Sequence, residues 1–399
     1  MPIDKLKLSK IFVSNNKIIN VILWSQPVEI NLDSAVHYHY GKFPPKSFQY
    51  TEKLVNALMN ANNAIARYDQ MLKNMHNSEI LLAPLRNQEA VISSRMEGTI
   101  STMDEILKYE ADHEDDNDPS VRSDVIETLL YQRTLKKTQE ALENGYPFSS
   151  SLIRQAHQGL LSWGRGAMKS PGEYKTEQNY LADRAKKNIL FVPISPEQLQ
   201  SGLDNLFDYI ENNEHNALIK TAITHVEFEA LHPFKDGNGR IGRMLITLML
   251  WQSKLISSPH FYISGYMEEH KDIYIDKLRE VSLHDNWEEW CIFFLEAVEQ
   301  QAIRNLEVAE SIRELYESMK HTCSELLNSK WCVQTLDFIF TNPFFRNNKF
   351  TQKSGIPTAT AHKITKILFE NNILVEVEPA SGRRSAMYSF EPLLEKVRV

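Results

Sequence analysis

Glycine is scarce in this chain, with 14 among 399 residues, about half the ~7% usual in soluble proteins. Glycine costs ~1 kcal/mol inside a helix, so the shortage fits a mostly helical protein. Cysteine is scarcer still. Cys291, Cys323 and Cys332 are odd in number and lack metal-ligand spacing, which excludes a disulfide scaffold and suggests a reduced, cytoplasmic protein. Long apolar runs are missing. The longest stretch, Met244–Trp251, has eight residues even with Thr247 counted in, whereas a membrane span needs ~20. The opening MPIDKLKLSKIFV has no apolar segment of the secretory type. Neither sign of charge dominates: 44 basic against 52 acidic residues give −8, which argues against a chain-wide polyanion surface and leaves room for a local basic patch.

What is there divides the chain into segments. At this length two or three domains are expected. Residues 1–50 mix a β-like run, Ile18–Trp24, with Pro and Tyr and read as an irregular arm. From Thr51 a helical period begins, with Leu54, Leu58, Ala61 and Ile65 on one face. Pro84 suits the first turn of the next helix and Gly98 its end. Glu110–Asp118 reads as a solvated acidic linker. A helix over 120–145 ends at Asn144-Gly145, closing an N-terminal helical region, 51–145. Ser149–Ser151 cap the helix that opens a second region, 146–300. Within it, Trp163–Tyr180 is too irregular for a helix. The short apolar run Asn188-Ile189-Leu190-Phe191 before Pro193 suits a β-hairpin flap. Ser195-Pro196-Glu197 opens another helix. A connecting helix is expected over 301–330. Over 331–399 the order is helix, turn, helix and two alternating runs, Ile373–Glu378 and Ala386–Phe390, which is that of a winged helix. This tail holds nine Lys and Arg against six Asp and Glu.

Three of the 14 glycines, Gly237, Gly239 and Gly242, fall within six residues. Helical patterns flank them, Ile219–Ala230 before and Ile241–Trp251 after, and Pro233 and Gly237 break the chain between. The loop therefore ends on a helix amino terminus, where unpaired N–H groups and the positive end of the dipole favour an anion. Arg240 and Arg243 are three apart, share a helix face, and suit phosphate oxygens by their planar forks. Asp236 is a hard oxygen ligand placed for a phosphate-bound Mg²⁺. His232 can accept a proton near neutral pH. Together these residues describe a di- or triphosphate site with a general base. No Gly-Lys-Ser/Thr follows, so this is not a Walker A loop, and no strand precedes it, so it is not a dinucleotide fingerprint.

The segment His232-Pro233-Phe234-Lys235-Asp236-Gly237-Asn238-Gly239-Arg240-Ile241-Gly242-Arg243 resembles in full the signature of the Fic family, mostly enzymes that transfer AMP from ATP to a protein hydroxyl. Pro171-Gly172-Glu173-Tyr174, Gln178-Asn179, His225-Val226-Glu227-Phe228-Glu229, Tyr274 and Trp287-x-x-Trp290 extend the resemblance over roughly 50–300. It implies a mainly α, Fic-type helical bundle with a small β-hairpin flap, plus the C-terminal winged helix. His232 would deprotonate the target hydroxyl. Asp236 would hold Mg²⁺. Gly237, Asn238 and Gly239, with Arg240, Ile241, Gly242 and Arg243, would bind the phosphates of ATP, and Arg243 would reach the γ-phosphate. Asn188–Phe191 would be the flap that guides the target and borders the nucleotide, and Tyr274 an adenine-side contact. Lys175 stands where many relatives carry Arg, and Ala182 where many carry Gly.

Ser93-Ser94-Arg95-Met96-Glu97-Gly98 is similar to the family's inhibitory motif, which pairs its Glu with the second loop arginine, here Arg243. The resemblance implies an autoinhibited enzyme, with Ser93, Glu97 and Gly98 as the inhibitory residues. It also implies hydroxyl-bearing target proteins, self-modification, and a homodimer as a plausible assembly. Two other functions stay open at this point. One is a nucleotide-sensing regulator that binds DNA through 331–399, using Lys353, His362, Lys363, Lys366, Arg383 and Arg384, which is not favoured. The other is a Fic enzyme that transfers a different phosphate-containing group or removes AMP.

Overall fold

The structure is a computed structural model that describes residues 12–13, 32, 35–75, 77–112, 122–182 and 188–398. The run Ile18–Trp24 and most of the acidic linker lie outside the described residues; Glu110–Asp112 form the end of a helix instead. Among the described residues, no helix is long and apolar enough to cross a membrane. All three cysteines are free and buried.

Helix α1 (Glu52–Lys73) begins where the Thr51 hydroxyl accepts the Leu54 N–H. Its stripe of Leu54, Ala61 and Ile65 is fully buried. Helix α2 (Glu79–Met96) carries Pro84 in its interior rather than in its first turn. The helix starts behind Ser78, so the missing proline N–H leaves the Ile80 carbonyl without its intrahelical donor. Gly98 stops the chain with φ +87°, a conformation that only glycine adopts without strain. Then follow α3 (Met103–Asp112), α4 (Ser123–Glu143), which ends at Asn144, and α5 (Ser150–Leu160), where Ser149 accepts the Leu152 N–H. A 3-10 turn, Gly164–Met168, interrupts the irregular stretch.

A small sheet forms from β1 (Phe12–Val13), β2 (Val36–His37), β3 (Leu181–Ala182) and β4 (Ile189–Val192) in the order β1-β3-β4-β2. β3 and β4 are antiparallel, while β1 and β2 lie parallel on the outside. The expected flap is thus the centre of a four-stranded sheet. The arm expected to be irregular supplies both outer strands, which cover edges that an isolated hairpin leaves open.

The centre of the molecule is α6 (Pro196–Asn212), α7 (Ala217–Leu231) and α8 (Asn238–Gln252). α7 and α8 are buried on nearly every face, as helices surrounded by other helices must be. Beyond them come α9 (Ser264–Glu269), α10 (Lys271–His284) and α11 (Trp287–Leu327). α11 runs unbroken for 41 residues, so no break occurs at 300, where a separate connecting helix was expected to start. Its Trp287 and Trp290 are buried, and α1 packs along it.

The tail contains α12 (Cys332–Thr341), β5 (Phe344–Arg346), α13 (Asn347–Lys353), α14 (Thr358–Glu370), β6 (Val375–Glu378), β7 (Met387–Ser389) and α15 (Glu391–Val397). The three strands pair in the order β5-β7-β6. α12 and α15 rest on α11 and α2, and β5 rests on α3. The buried Arg346 binds the carboxylates of Asp112 and Glu378, which ties the tail to α3.

Candidate functional site

α7 ends at His232, whose backbone is left-handed with φ 44° and ψ 61°. Pro233 follows, and the residue before a proline is disfavoured in the α conformation. The chain then turns through Asp236 and Gly237, the latter at φ +78°. α8 starts at Asn238, three residues earlier than the apolar pattern suggested, so Gly239 and Arg240 form its first turn. That places the donor-rich helix terminus against the turn.

Two side chains brace this turn from within and behind. Asn238 accepts the Phe234 N–H and donates to the Phe234 carbonyl, each at 2.8 Å, so its side chain shapes the loop. His157 stacks on Phe234 with 3.7 Å between ring centres. Its Nδ1 accepts the Gly172 N–H at 2.8 Å, which leaves Nε2 to donate to the Asp236 carbonyl at 2.9 Å. Burial pushes His157 down to about 4, so it keeps this neutral form.

A cavity opens over the loop. Its apolar wall comes from Leu181, Leu190 and Phe191 of the sheet, Val226 of α7, and Ile275 and Leu278 of α10. Its polar end holds Glu97, Glu229, His232, Asp236, Arg243 and Lys271. Gly237, Asn238, Gly239 and Tyr274 also line it. The remaining expected residues do not. Asn188 and Ile189 lie outside the lining, and Ile241 faces the core. Gly242 is packed against Glu229, whose Oε1 would lie 2.4 Å from an added Cβ. Arg240 does not line the cavity as Arg243 does. It is buried, lies 3.9 Å from Asp236 and leaves Nε and Nη1 without hydrogen-bond partners among the described residues. Tyr274 gives its hydroxyl to Nε2 of His225 at 2.9 Å.

Arg243 is engaged by the end of α2 and its cap residue Glu97. Its Nε donates to the Ser93 hydroxyl at 2.9 Å, and Nη2 donates to the Ser93 carbonyl at 2.8 Å and to Glu97 Oε1 at 2.9 Å. Gly239 makes the approach possible, since a Cβ there would lie 2.2 Å from Glu97 Oε1. Gly98 ends the helix just beyond Glu97. Two further contacts hold this end of α2. Arg95 binds Glu268 through two bonds, 2.7 and 2.6 Å, and Lys271 donates to the Met96 carbonyl at 2.8 Å.

The electrostatics follow from burial and these neighbours. Burial holds His232 down to about 3, with the Lys175 charge acting in the same direction; the ring is neutral at physiological pH. Burial raises the Asp236 carboxyl against the pull of Arg240. Burial also acts to raise Glu97, but the charge and hydrogen bond of Arg243 outweigh it and hold that carboxyl low. Glu229 is pushed up to about 8 by burial, against Arg243. Its protonated form sits in the cavity wall, with Oε1 unpartnered among the described residues. Lys271 and His157 were not singled out from the sequence, and Glu229 was named only within the family resemblance, with no role given to it. Glu229 is one helical turn before His232, a spacing that could have flagged it.

Comparison with known proteins follows the same outline. Residues 55–140 match the Fic/DOC family N-terminal domain and residues 147–250 the Fic/DOC family. An Aquifex aeolicus protein named probable protein adenylyltransferase aq_aa38 is 24% identical over 208 residues, 51% of this chain and 57% of its own length. Protein adenylyltransferase fic-1 of Caenorhabditis elegans is 31% identical over 105 residues, 25% of this chain and 19% of its own. The chain thus spans less than two thirds of these curated relatives. The crystal structure of a Fic family protein from Desulfovibrio desulfuricans G20 shares the fold, with a TM-score of 0.53 over 86% of this chain and 97% of that one at 18% identity. The chain carries the paired domains of the Fic/DOC family on a mainly helical Fic fold.

Proposed function

We propose that this protein is a protein adenylyltransferase that moves AMP from ATP to a Ser, Thr or Tyr hydroxyl of a target protein, and that Glu97 keeps it inhibited. The observation that carries the reading is Arg243 at the phosphate loop, 2.9 Å from a carboxylate of another helix, in the same cavity as the neutral His232. The names of the Aquifex and nematode relatives support the reaction class.

In this reading the first amides of α8, with Gly237 and Gly239, cradle the phosphates, and Leu190, Phe191 and Tyr274 border the base. Among the described residues, no three His, Cys, Asp or Glu side chains cluster as a metal site. A lone carboxylate such as Asp236 fits an Mg²⁺ that arrives on the nucleotide and keeps phosphate oxygens as its other ligands. That ion supplies charge neutralisation at the phosphates. The target oxygen attacks the α-phosphorus, the bond to the β-phosphate oxygen breaks, pyrophosphate leaves and the hydroxyl proton passes to His232. Positioned proton transfer contributes roughly 10²- to 10⁴-fold. While Glu97 occupies Arg243, that guanidinium is not available to the γ-phosphate, and the nucleotide is not aligned for in-line attack.

The test is incubation of wild type, Glu97→Gly and Glu97→Gly/His232→Ala with α-labelled ATP, Mg²⁺ and a lysate. Labelling is expected to rise in the first variant and vanish in the second. Equal labelling by wild type and Glu97→Gly removes the inhibitory role. Full labelling without His232 removes the mechanism.

A further inference from the structure

We infer that Lys175 is a positioning residue for His232, acting with Asn179 through the backbone of the turn. This rests on the reading of His232 as the proton acceptor. A helix that ends leaves its last carbonyls without donors, and here four successive carbonyls need partners. The Lys175 ammonium donates to the Leu231 carbonyl at 3.0 Å and to Asn179 Oδ1 at 2.8 Å. The Lys175 backbone N–H donates to the Pro233 carbonyl at 2.8 Å. The Asn179 amide donates to the His232 carbonyl at 2.9 Å and to the Phe234 carbonyl at 3.1 Å. Two residues thus take every carbonyl from 231 to 234.

Both side chains are buried, each 3% exposed, and neither lines the cavity. A bound nucleotide or target segment in that cavity does not touch them. The oxygens that receive the ammonium are neutral ones. A buried ammonium held only by neutral oxygens is costly, and burial accordingly brings Lys175 down to about 7. It is placed where it fixes a left-handed residue, a conformation that persists only when its surroundings determine it. The direction of the imidazole follows from that backbone. A misplacement of ~1 Å costs on the order of 10² in rate, so the clamp acts on the chemical step and leaves nucleotide binding alone.

The experiment uses the full chain in the Glu97→Gly background. Lys175→Met removes the ammonium and keeps the length of the side chain. Its kcat should fall ~100-fold while KM for ATP and ATP affinity by calorimetry stay within about twofold. Lys175→Arg, which still donates to the Leu231 carbonyl and Asn179, should recover most of kcat. Asn179→Ala should show the same selective loss, and it serves should Lys175→Met not fold. Unchanged kcat in the Met and Ala variants overturns the inference. So does loss of ATP affinity in parallel with kcat, or no recovery with Arg. Histidine NMR gives a readout independent of activity. The His232 ring resonance, identified by its loss in His232→Ala, should move in Lys175→Met and return in Lys175→Arg. If the Glu97→Gly parent transfers no AMP, the proposed function fails and this resonance decides alone; an unmoved resonance overturns the inference.

Discussion

Arg243 closes the end of the helix that carries Ser93. The two residues are 150 apart in sequence, yet the guanidinium takes both the Ser93 hydroxyl and the Ser93 carbonyl, at 2.9 and 2.8 Å. Ser93 opens the last turn of α2, so its carbonyl has no intrahelical donor, and a cation there meets the negative end of the helix dipole. Ser93→Ala removes one of these bonds and leaves Nε buried without an acceptor. A loss of ~1–3 kcal/mol is expected, measured by urea unfolding. An unchanged midpoint would contradict the role given to Ser93.

Gly239→Ala places a methyl group 2.2 Å from Glu97 Oε1 and 2.8 Å from Arg243 Nη1. Overpacking of this kind costs ~1–3 kcal/mol. In a Glu97→Gly background the first obstruction is gone, and the penalty should shrink. A double-mutant cycle of thermal stabilities reads the coupling; additive effects would show that the Cβ does not meet Glu97.

Glu229 gives a prediction in pH. Its folded value, about 8, lies above the ordinary carboxyl value of 4.5. The stability it contributes is full below 4.5 and is lost as the pH rises through 8. Glu229→Gln keeps the shape of the protonated acid and removes the titration. Relative to wild type, the variant should therefore gain stability between pH 5 and 8.5, on the order of a few kcal/mol. Urea midpoints at the two pH values measure it, and a constant difference would mean that Glu229 is ionised throughout.

Arg95 and Glu268 form a bidentate pair at a partly exposed site, with side chains 36% and 22% exposed. Such a pair adds about 1 kcal/mol or less to global stability, but it fixes the end of α2 that carries Glu97. Arg95→Ala should leave the melting temperature within a few degrees and raise labelling from ATP several-fold. Glu268→Ala should do the same, and the double variant should add little. Labelling at the wild-type level in both single variants would separate this pair from the control of Glu97.

The sequence showed those parts whose partners are close in the chain. Thr51, Ser149, Gly98 and Asn144-Gly145 mark helix ends because caps and left-handed glycines act over three or four residues. The loop from His232 to Arg243 is similarly compact, which makes Gly237 and His232 conspicuous. Pro84 was misplaced because the start of α2 depends on the turn at Ser78 and not on the proline. Arg240 and Arg243 share a helix face by spacing, yet Ser93 and Glu97 at the end of α2 bind Arg243 while Arg240 lies 3.9 Å from Asp236. Lys175 and Glu229 were named only within the family resemblance, and their roles stayed hidden because they depend on carbonyls and charges brought from distant segments. The outer strands beside β3 and β4 were hidden for the same reason, since strand pairing is not written in either strand alone.

α11 has one more consequence. Its 41 residues contain neither proline nor glycine, and at 1.5 Å per residue it is a rod about 60 Å long. One end holds Trp290, whose indole donates to the Ala222 carbonyl of α7 at 2.7 Å; the other end carries the tail on α12. The residues that most often kink a long helix are missing from it. One continuous helix thus joins the tail to the helix that presents His232.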